Sequence, residues 1–313
     1  MESFLPLIEL CDNYKANQAL EPLVPFYVNS ADGSGKEIAI GWIRSLVIPV
    51  LRDTALSVFT LSDSGLRFRP ELDSADKRSS ALETLCQGWR TTGLFSEIIG
   101  GRLWRNERYP VYYNPFRRHS AGDDIAFSLE RTCCAIFGLV TYGCHMTMML
   151  EGERKIWVPK RARTKQTWPG YLDNTVAGGI PSGIGSTDAL LKECMEEASI
   201  PEEFVRSFVK PAGCVSYFFQ TPKGWLQPEV EYVYDLIVPP GVKSPELHPL
   251  DGEVESFELC SIEEVIERMK QKLFKPNCAL VLVDFLIRHG YISPESEPNY
   301  IEIVTRLHGR WGL

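Results

Sequence analysis

The segment AGGIPSGIGSTDALLKECMEEASI, residues 177–200, decides how this chain is interpreted. Within residues 187–198 the apolar side chains recur at helical spacing and form one wide stripe, which predicts an amphipathic helix. Glu193, Glu196 and Glu197 stand at positions i, i+3 and i+4 of that helix. Residues at this spacing are neighbours on a helix surface, so the three carboxylates are predicted to share one face.

Two interpretations of this acidic face stay open at this point. Like charges at this spacing destabilise a helix by a few tenths of a kcal/mol per pair, so the simplest interpretation is a face exposed to water. A divalent cation would reverse the repulsion, because carboxylate oxygens are the ligands that Mg²⁺ takes in proteins. Mg²⁺ also retains several waters and shares its coordination shell with substrate phosphates.

The residues before the helix favour the second interpretation. Gly178 and Gly179 predict a turn-forming loop that brings backbone amides close to an anion. A basic loop precedes them, and its cations are Lys160, Arg161, Arg163 and Lys165. Acids, glycines and cations within about 40 residues predict a site for a diphosphate and a metal ion.

The composition limits the classes of protein that fit. The 313 residues, 44% hydrophobic and 24% charged, suffice for two folded domains. A net charge of −8 argues against nonspecific binding of nucleic acid, whose phosphates attract basic surfaces. No apolar run reaches the ~18 residues of a membrane span, and residues 1–17 lack the features of a signal peptide. We therefore expect a cytoplasmic monomer or homodimer with neither a nucleic-acid nor a membrane partner.

The cysteine pattern disfavours disulfides, zinc and a catalytic thiol. The nine cysteines contain no C-x-x-C pair, and several, such as Cys278, stand within apolar runs, which predicts reduced core residues. Cys144 and His145 are neighbours in a predicted strand, where their side chains would point to opposite faces. His145 and His289 are interpreted as structural residues.

The order of elements predicts two domains. Residues 1–124 mix short apolar runs with loops and predict a smaller α+β domain, with the polar stretch 113–124 as the linker. Residues 125–313 alternate strands and helices and predict an α/β/α sandwich around a mixed sheet. Within it, CCAIFGLVTYGCHMTMMLE (133–151) predicts two strands with a turn at Gly143.

The glutamate segment resembles the signature of the Nudix family, G-x5-E-x7-R-E-U-x-E-E-x-G-U, in which U is a bulky aliphatic residue. Beginning at Gly178, every spacing is intact over 23 residues. Two departures matter for the chemistry: Ile184 replaces the first signature glutamate, and Lys192 replaces the arginine. The resemblance implies that the helix glutamates, Glu193, Glu196 and Glu197, hold Mg²⁺, or Mn²⁺ in its place, against the diphosphate of a small organic molecule.

Longer segments are similar to a narrower group, the thiamine-pyrophosphokinase-related Nudix proteins. IWVPKRARTKQTWPGYLDNTVAGGIPSG, WLQPEVEYVYDL and FKPNCALVLVDFLIRHGYI carry this resemblance. GWIRSLVIPVL and WRTTGLFSEIIGGRLWRNERYPVYY resemble the DUF4743-like N-terminal domain of the fungal and plant members. The resemblance implies hydrolysis of thiamine diphosphate, or of its oxidised analogues, to the monophosphate. An isoprenoid or nucleoside diphosphate is the alternative substrate. A diphosphate-binding protein of weak activity is the alternative class, because of Ile184.

Candidate roles follow for individual residues. The bound metal would polarise phosphoryl oxygens and lower the pKa of the attacking water. Glu193, Glu197 and Glu253 are the catalytic candidates, with Glu197 and Glu253 as alternative general bases. The substrate-binding candidates are Lys160, Arg161, Arg163, Lys165, Gly178, Gly179 and Trp168.

Some of these side chains have a second interpretation. Glu229 and Glu231 share one face of a predicted strand and either replace the carboxylate lost at Ile184 or face solvent. Trp89 and Trp104 either stack on a flat ring of the substrate or belong to a domain core.

Overall fold

The structure is a computed structural model, and it describes residues 3–15, 21–30, 34–117 and 124–309. The chain begins with the short helix α1 (Leu5–Cys11). The part that follows, up to residue 139, is called the N-terminal unit here. Its elements are β1 (Val24–Asn29), β2 (Glu37–Ile43), α2 (Val47–Thr54), β3 (Phe59–Ser62), β4 (Gly65–Phe68), α3 (Ala75–Thr92), α4 (Ser96–Ile99), β5 (Arg108–Tyr112) and β6 (Ile125–Glu130).

The N-terminal unit consists of a sheet in the order β2-β1-β4-β3, a hairpin of β5 and β6, and the long helix α3. The Ser74 hydroxyl caps α3 by accepting a hydrogen bond from the backbone of Lys77, and the helix ends at Gly93 in the left-handed conformation. One hydrophobic cluster holds the unit together, and it includes Trp89 and Phe137, whose rings stack.

The C-terminal unit, residues 140–309, contains the larger sheet and its covering helices. Its elements are β7 (Thr141–Leu150), β8 (Lys155–Arg161), β9 (Val176–Gly179), α5 (Ser186–Ala198), α6 (Glu202–Phe208), β10 (Val209–Gln220), β11 (Leu226–Val238), β12 (Val254–Ser261), α7 (Ile262–Lys270), α8 (Pro276–Arg288) and α9 (Tyr300–Leu307). The sheet runs β10-β11-β7-β8-β12, with β7 and β11 parallel and the other pairs antiparallel.

Helices cover both faces of this sheet. One hydrophobic cluster joins its strands to α7, α8, α9 and α1, and another joins them to α5 and α6. The predicted α/β/α sandwich with a mixed sheet, preceded by a separate N-terminal domain, is therefore confirmed. The strands around β7 diverge, because β8 pairs with the end of β7 near Leu150 and β9 pairs with the stretch 143–146. The candidate site described below lies at this divergence.

Two glycine predictions were wrong. Gly143 lies within the continuous strand β7 and makes no turn. A Cβ at this position would lie 2.1 Å from a carboxylate oxygen of Glu231, so the glycine makes room for that side chain. Gly178 and Gly179, expected in a turn-forming loop, lie in strand β9.

The packing does not follow the domain boundary predicted between residues 124 and 125, because side chains after residue 125 pack with the N-terminal unit. The expected linker, 113–124, joins β5 to β6, which pair with each other in one hairpin; residues 118–123 lie outside the described residues. The buried side chains of β6 and of the 3₁₀ helix after it, Arg131–Ile136, belong to the cluster of the N-terminal unit. Helix α1, in contrast, packs against α8 of the C-terminal unit.

All nine cysteines lie within the described residues and are free thiols, and Cys214 alone among them is exposed. Within the described ranges, none of the helices has both the length and the apolar character that crossing a membrane requires.

Candidate active site

Helix α5 turns its apolar side chains to the sheet and its glutamates to a cavity of about 550 Å³. Glu193, Glu196 and Glu197 all border this cavity, which has the size of a typical ligand site. The three differ in burial: the Glu196 side chain is about half exposed, Glu193 is partly buried, and Glu197 is only 8% exposed. The acidic face predicted from the sequence is therefore a cavity wall.

The two more buried carboxylates are held in an environment that disfavours their charged forms. Burial raises the pKa of Glu193 to about 7, with Lys192 opposing and Glu196 reinforcing the shift. Burial also raises the pKa of Glu197 well above its usual value, and the charge of Glu193 adds to the effect. The backbone amide of Ala177 in β9 donates to Glu197 Oε2 over 3.1 Å.

Lys192, at the position of the signature arginine, partly balances this charge. Its ammonium lies 3.3 Å from Glu196 Oε2, and both side chains are about half exposed. Burial would lower the pKa of Lys192, but the charges of Glu193 and Glu196 raise it.

The glycines of β9 allow close approach of two side chains to the strand. A Cβ on Gly178 would lie 2.4 Å from carbons of the Glu193 side chain, and a Cβ on Gly179 would lie 1.5 Å from the hydroxyl of Tyr109. Both distances are far below van der Waals contact. These glycines therefore shape the cavity by giving space to Glu193 and Tyr109.

A buried polar network borders the cavity on the β11 side. Glu231 Oε1 accepts hydrogen bonds from the Tyr217 hydroxyl at 2.8 Å and from the Asn277 amide at 3.1 Å. Glu231 Oε2 lies 3.5 Å from His145 Nε2, and His145 Nδ1 lies 2.7 Å from the side-chain oxygen of Asn174. The Tyr217 hydroxyl also contacts Glu229.

His145 and Glu231 form a buried ion pair. Burial would lower the pKa of His145, but the charge of Glu231 raises it well above its usual value. Burial would likewise raise the pKa of Glu231, but His145 holds it below the usual range. Glu231 therefore does not face solvent. The contacts of His145 agree with the expected structural role, and the His145 side chain also borders the cavity.

The basic loop contributes two of its four predicted cations to the cavity. Arg161 donates to Asp173 Oδ2 at 2.5 Å and to the carbonyl oxygens of Thr167 and Trp168 at 3.1 Å, so it holds the loop together. Lys165 donates to Glu253 across the cavity. Burial would raise the pKa of Glu253, but this hydrogen bond and the charge of Lys165 lower it.

The other predicted substrate contacts lie elsewhere. Lys160 lies 3.5 Å from Glu255, Arg163 is exposed, and neither borders the cavity. Trp168 borders an adjoining smaller cavity. Trp89 belongs to the core of the N-terminal unit, where its indole N–H donates to Thr54 at 2.9 Å. Trp104 is also buried, and its N–H donates to Asn106 at 2.8 Å.

Several cavity residues were not predicted from the sequence. The N-terminal unit contributes Arg105, Glu107, Tyr109 and Arg131, and the start of α8 contributes Lys275 and Asn277. A signal for the α8 residues exists, because polar side chains flank a proline at the start of an otherwise apolar helix. The contributions of the N-terminal unit carry no local signal, since they depend on how the two units pack.

The donor set of the cavity fits a divalent cation. Among the residues that the structure describes, no three His, Cys, Asp or Glu side chains converge closely enough to hold a metal ion by themselves. Mg²⁺ does not require such a cage, because it is commonly bound by one or two carboxylates together with water and phosphate oxygens. Burial raises the pKa of both Glu193 and Glu197, and Lys192 offsets this effect only in part at Glu193. A divalent cation held by these carboxylates would stabilise their charged forms.

Comparisons with known proteins agree with this geometry. The NUDIX domain family matches residues 145–279, and the family described as Domain of unknown function (DUF4743) matches residues 3–141. Nudix hydrolase 20, chloroplastic, of Arabidopsis thaliana is 32% identical over 322 residues, covering 99% of this chain and 79% of that protein. The chain belongs to the Nudix hydrolase family. It is therefore a hydrolase of pyrophosphate bonds, and the expected Nudix domain with a DUF4743 domain before it is confirmed.

Nudix hydrolases act on small-molecule diphosphates and generally use divalent metal ions. A second relative, protein YJR142W of Saccharomyces cerevisiae, is 38% identical over 305 residues, covering 91% of this chain and 83% of that protein. Among solved structures, DR0079 from Deinococcus radiodurans aligns with a TM-score of 0.42 and 18% identity, covering 57% of this chain and 99% of that one.

Proposed function

We propose that this Nudix hydrolase cleaves a small organic diphosphate to the monophosphate and phosphate with Mg²⁺, or with Mn²⁺ in its place. One observation carries the proposal: the three signature glutamates, Glu193, Glu196 and Glu197, border a single cavity together with Lys165 and Lys192. Carboxylates for a metal and cations for phosphate oxygens are the two kinds of group that cleavage at phosphorus needs.

Under this proposal the three helix glutamates hold the metal together with water and substrate phosphate oxygens, which complete its coordination shell. A metal bound there supplies Lewis-acid stabilisation of phosphoryl charge and a lowered pKa for the attacking water. The protein orients the glutamates itself: Gly178 gives space to Glu193, and the Ala177 amide fixes one oxygen of Glu197.

The general base is assigned by the contacts of the two candidates. The hydrogen bond from Lys165 engages Glu253 and stabilises its carboxylate form, which makes it a weaker proton acceptor. We assign Glu253 the role of holding Lys165 at the cavity, and we assign Glu197 the role of base.

The substrate we favour is thiamine diphosphate or an oxidised analogue. The sequence resemblance to thiamine-pyrophosphokinase-related Nudix proteins is the first support. The cavity supplies the second, because its lining is mainly charged and polar and it adjoins a smaller cavity with aromatic side chains. Such a lining suits a polar ring better than a long isoprenoid chain.

A binding protein of weak activity is less well supported. Ile184, the feature that favours it, packs against the hydrophobic cluster under α5 and does not border the cavity. The cavity therefore retains its carboxylates, among them Glu229 and Glu231 on β11. A protein that only binds an anionic diphosphate has no need of so many acidic side chains around it.

The test is phosphate release from a panel of organic diphosphates, with Mg²⁺ and with a chelator. We expect Mg²⁺-dependent release that Glu196→Gln reduces at least 100-fold, since metal-ligand carboxylates act on transition-state charge. Glu203→Gln, on the exposed face of α6, is the matched control and should retain activity. Tight binding without release from any panel member would favour the binding protein instead.

A further inference from the structure

A second cavity of about 240 Å³ adjoins the larger one and shares part of its wall. It falls below the range of about 300–1,000 Å³ for complete ligand sites, so it has the size for one part of a ligand. The charged residues that border both cavities are three cations, Arg105, Arg131 and Lys275, and one carboxylate, Glu229. The junction of the two cavities is therefore net positive.

The contacts at this junction leave the cations available to an anion. Glu229 already accepts hydrogen bonds from the hydroxyls of Tyr217 and Thr141. Arg131 donates through Nη1 to Glu107 at 2.6 Å, and its side chain is still 39% exposed. A guanidinium carries five N–H donors, so Arg131 retains several for phosphate oxygens.

The two arginines of the N-terminal unit lie at the cavity wall. The Arg131 guanidinium lies over the ring of Tyr109, 4.8 Å from its centroid, which stabilises it at the cavity wall. Arg105 borders both cavities, and Glu253 of the C-terminal unit borders the larger one.

The rest of the smaller cavity is uncharged. The residues that border it alone include Trp168 and Phe219 from the C-terminal unit and Thr132 and Leu139 from the N-terminal unit. Trp168 is held with φ of +52°, a conformation that a bulky residue rarely adopts, and the Arg161 side chain binds its carbonyl oxygen. Aromatic and neutral polar side chains together suit a small organic ring.

We propose that the N-terminal unit completes the substrate site. Arg105 and Arg131, with Lys275, bind the diphosphate where the two cavities meet, and the smaller cavity receives the ring-bearing organic group. This inference rests on the proposed diphosphate hydrolysis, and it gives the DUF4743 domain a function in substrate selection.

The packing of the two units supports a site that is formed before substrate binds. The Ser182 amide, in the loop before α5, donates to the Arg108 carbonyl at 2.8 Å, and the hydroxyls of Ser182 and Ser128 lie 2.7 Å apart. Gln166, in the basic loop, donates to the Arg102 carbonyl. The N-terminal unit is thus bonded to both loops that frame the cavity.

The experiment compares hydrolysis of benzyl diphosphate and methyl diphosphate by the full chain with Mg²⁺. Arg105→Met and Arg131→Met should lower kcat/KM for both esters about 10- to 100-fold, mainly through KM, because a charged hydrogen-bond donor is lost. Arg102→Met and Arg108→Met are the controls, since neither residue borders either cavity. An unchanged KM in Arg105→Met and Arg131→Met would overturn the proposal.

The organic group is tested by a selectivity ratio. Phe219→Ala and Trp168→Ala should reduce the benzyl-to-methyl ratio of kcat/KM about 3- to 10-fold, through the loss of ring contacts. An unchanged ratio in both variants would mean that the ring binds elsewhere and would overturn the subsite. Arg131→Met leaves the Glu107 carboxylate without its partner. If thermal unfolding shows that this variant is poorly folded, the double variant Arg131→Met/Glu107→Gln is used instead, because it removes the unpaired charge.

Failure of the hydrolase proposal gives a different result. The parent protein would then release no phosphate from either ester, with or without Mg²⁺. Calorimetric titration with the methylene-bridged analogue of benzyl diphosphate would still test the subsite. Binding that weakens in Arg131→Met and Phe219→Ala supports it, and binding that is absent or equal in all variants overturns it.

Discussion

The hydroxyl of Tyr109 lies directly over Gly179, so close that a Cβ on the glycine would come within 1.5 Å of the oxygen and 2.5 Å of the ring. Tyr109 belongs to the hairpin of the N-terminal unit, and Gly179 belongs to strand β9 of the Nudix sheet. The contact joins the two units at the edge of the cavity that both of them border. A glycine at this position therefore sets how closely the units approach.

Gly179→Ala should destabilise the protein by about 1–3 kcal/mol, because Tyr109 is only 5% exposed and has little room to move. Thermal or denaturant unfolding measures the change. In the double variant with Tyr109→Ala the clash is gone, so the glycine substitution should add almost nothing to the cost of Tyr109→Ala.

Gly88→Ala is the control for that experiment. Gly88 is exposed within helix α3, and a Cβ there meets nothing within 4 Å. Alanine should stabilise the helix by about 0.5–1 kcal/mol. Equal effects of the alanine substitutions at positions 88 and 179 would contradict the proposed contact.

Glu197→Gln is expected to leave the metal-free protein at least as stable as the parent and to weaken the binding of Mg²⁺. The buried carboxylate has a raised pKa, so its charged form weakens the fold at any pH above the usual glutamate range. The neutral glutamine can still accept the hydrogen bond from Ala177. Without metal at pH 8, we expect a Tm equal to or above that of the parent.

The same variant should lose the rise in Tm that saturating Mg²⁺ gives to the parent, since a ligand that binds only the folded state stabilises it. Differential scanning calorimetry with and without Mg²⁺ measures both effects. An undiminished Mg²⁺-dependent rise in Glu197→Gln would remove Glu197 from the metal site.

The elements with strong local patterns could be predicted from the sequence. Helix α5 was predicted from its apolar stripe. The sequence also places Glu264 three residues after Ser261, which is the pattern of a capping box, and both hydrogen bonds of this box are present at the start of α7. In each case the signal lies within one short segment of the chain. The shared face of the three glutamates follows from the same local spacing.

The predictions that failed depended on distant residues. Gly143 has the sequence signal of a turn, but the constraint on it is the Glu231 side chain on a neighbouring strand. The polar stretch predicted as a linker connects β5 and β6 along the chain, and these two strands pair with each other. Arg105 and Arg131 reach the cavity only because the two units pack together, which no local pattern encodes.

The contacts of the Asp235 carboxylate are expected to stabilise the folded protein at neutral pH and to do so less at acidic pH. It accepts hydrogen bonds from Arg288 and from His289 Nε2, the latter at 2.7 Å. Burial would raise its pKa, but these partners lower it below the usual aspartate value of about 3.9. A lowered folded-state pKa means that the stabilisation is complete above the unfolded-state pKa and is lost as pH falls through the folded-state value.

Asp235→Asn should therefore cost about 1–3 kcal/mol at pH 7, and the difference from the parent should shrink below pH ~4. Urea unfolding at pH 7, 5 and 3.5 measures this trend. A difference that stays constant down to pH 3.5 would show that the ionised carboxylate is not the source of the stabilisation.

Ile184→Glu restores the family's first signature glutamate and tests what that position does here. Ile184 packs against the hydrophobic cluster under α5 and does not border the cavity. A carboxylate there loses apolar contacts and gains no place among the cavity residues, so we expect a loss of about 1–2 kcal/mol and no gain in kcat. Ile184→Gln is the matched control, because it is polar but uncharged. If Ile184→Glu is faster than the parent while Ile184→Gln is not, the new carboxylate reaches the metal, and the loop at 181–185 rearranges when substrate binds.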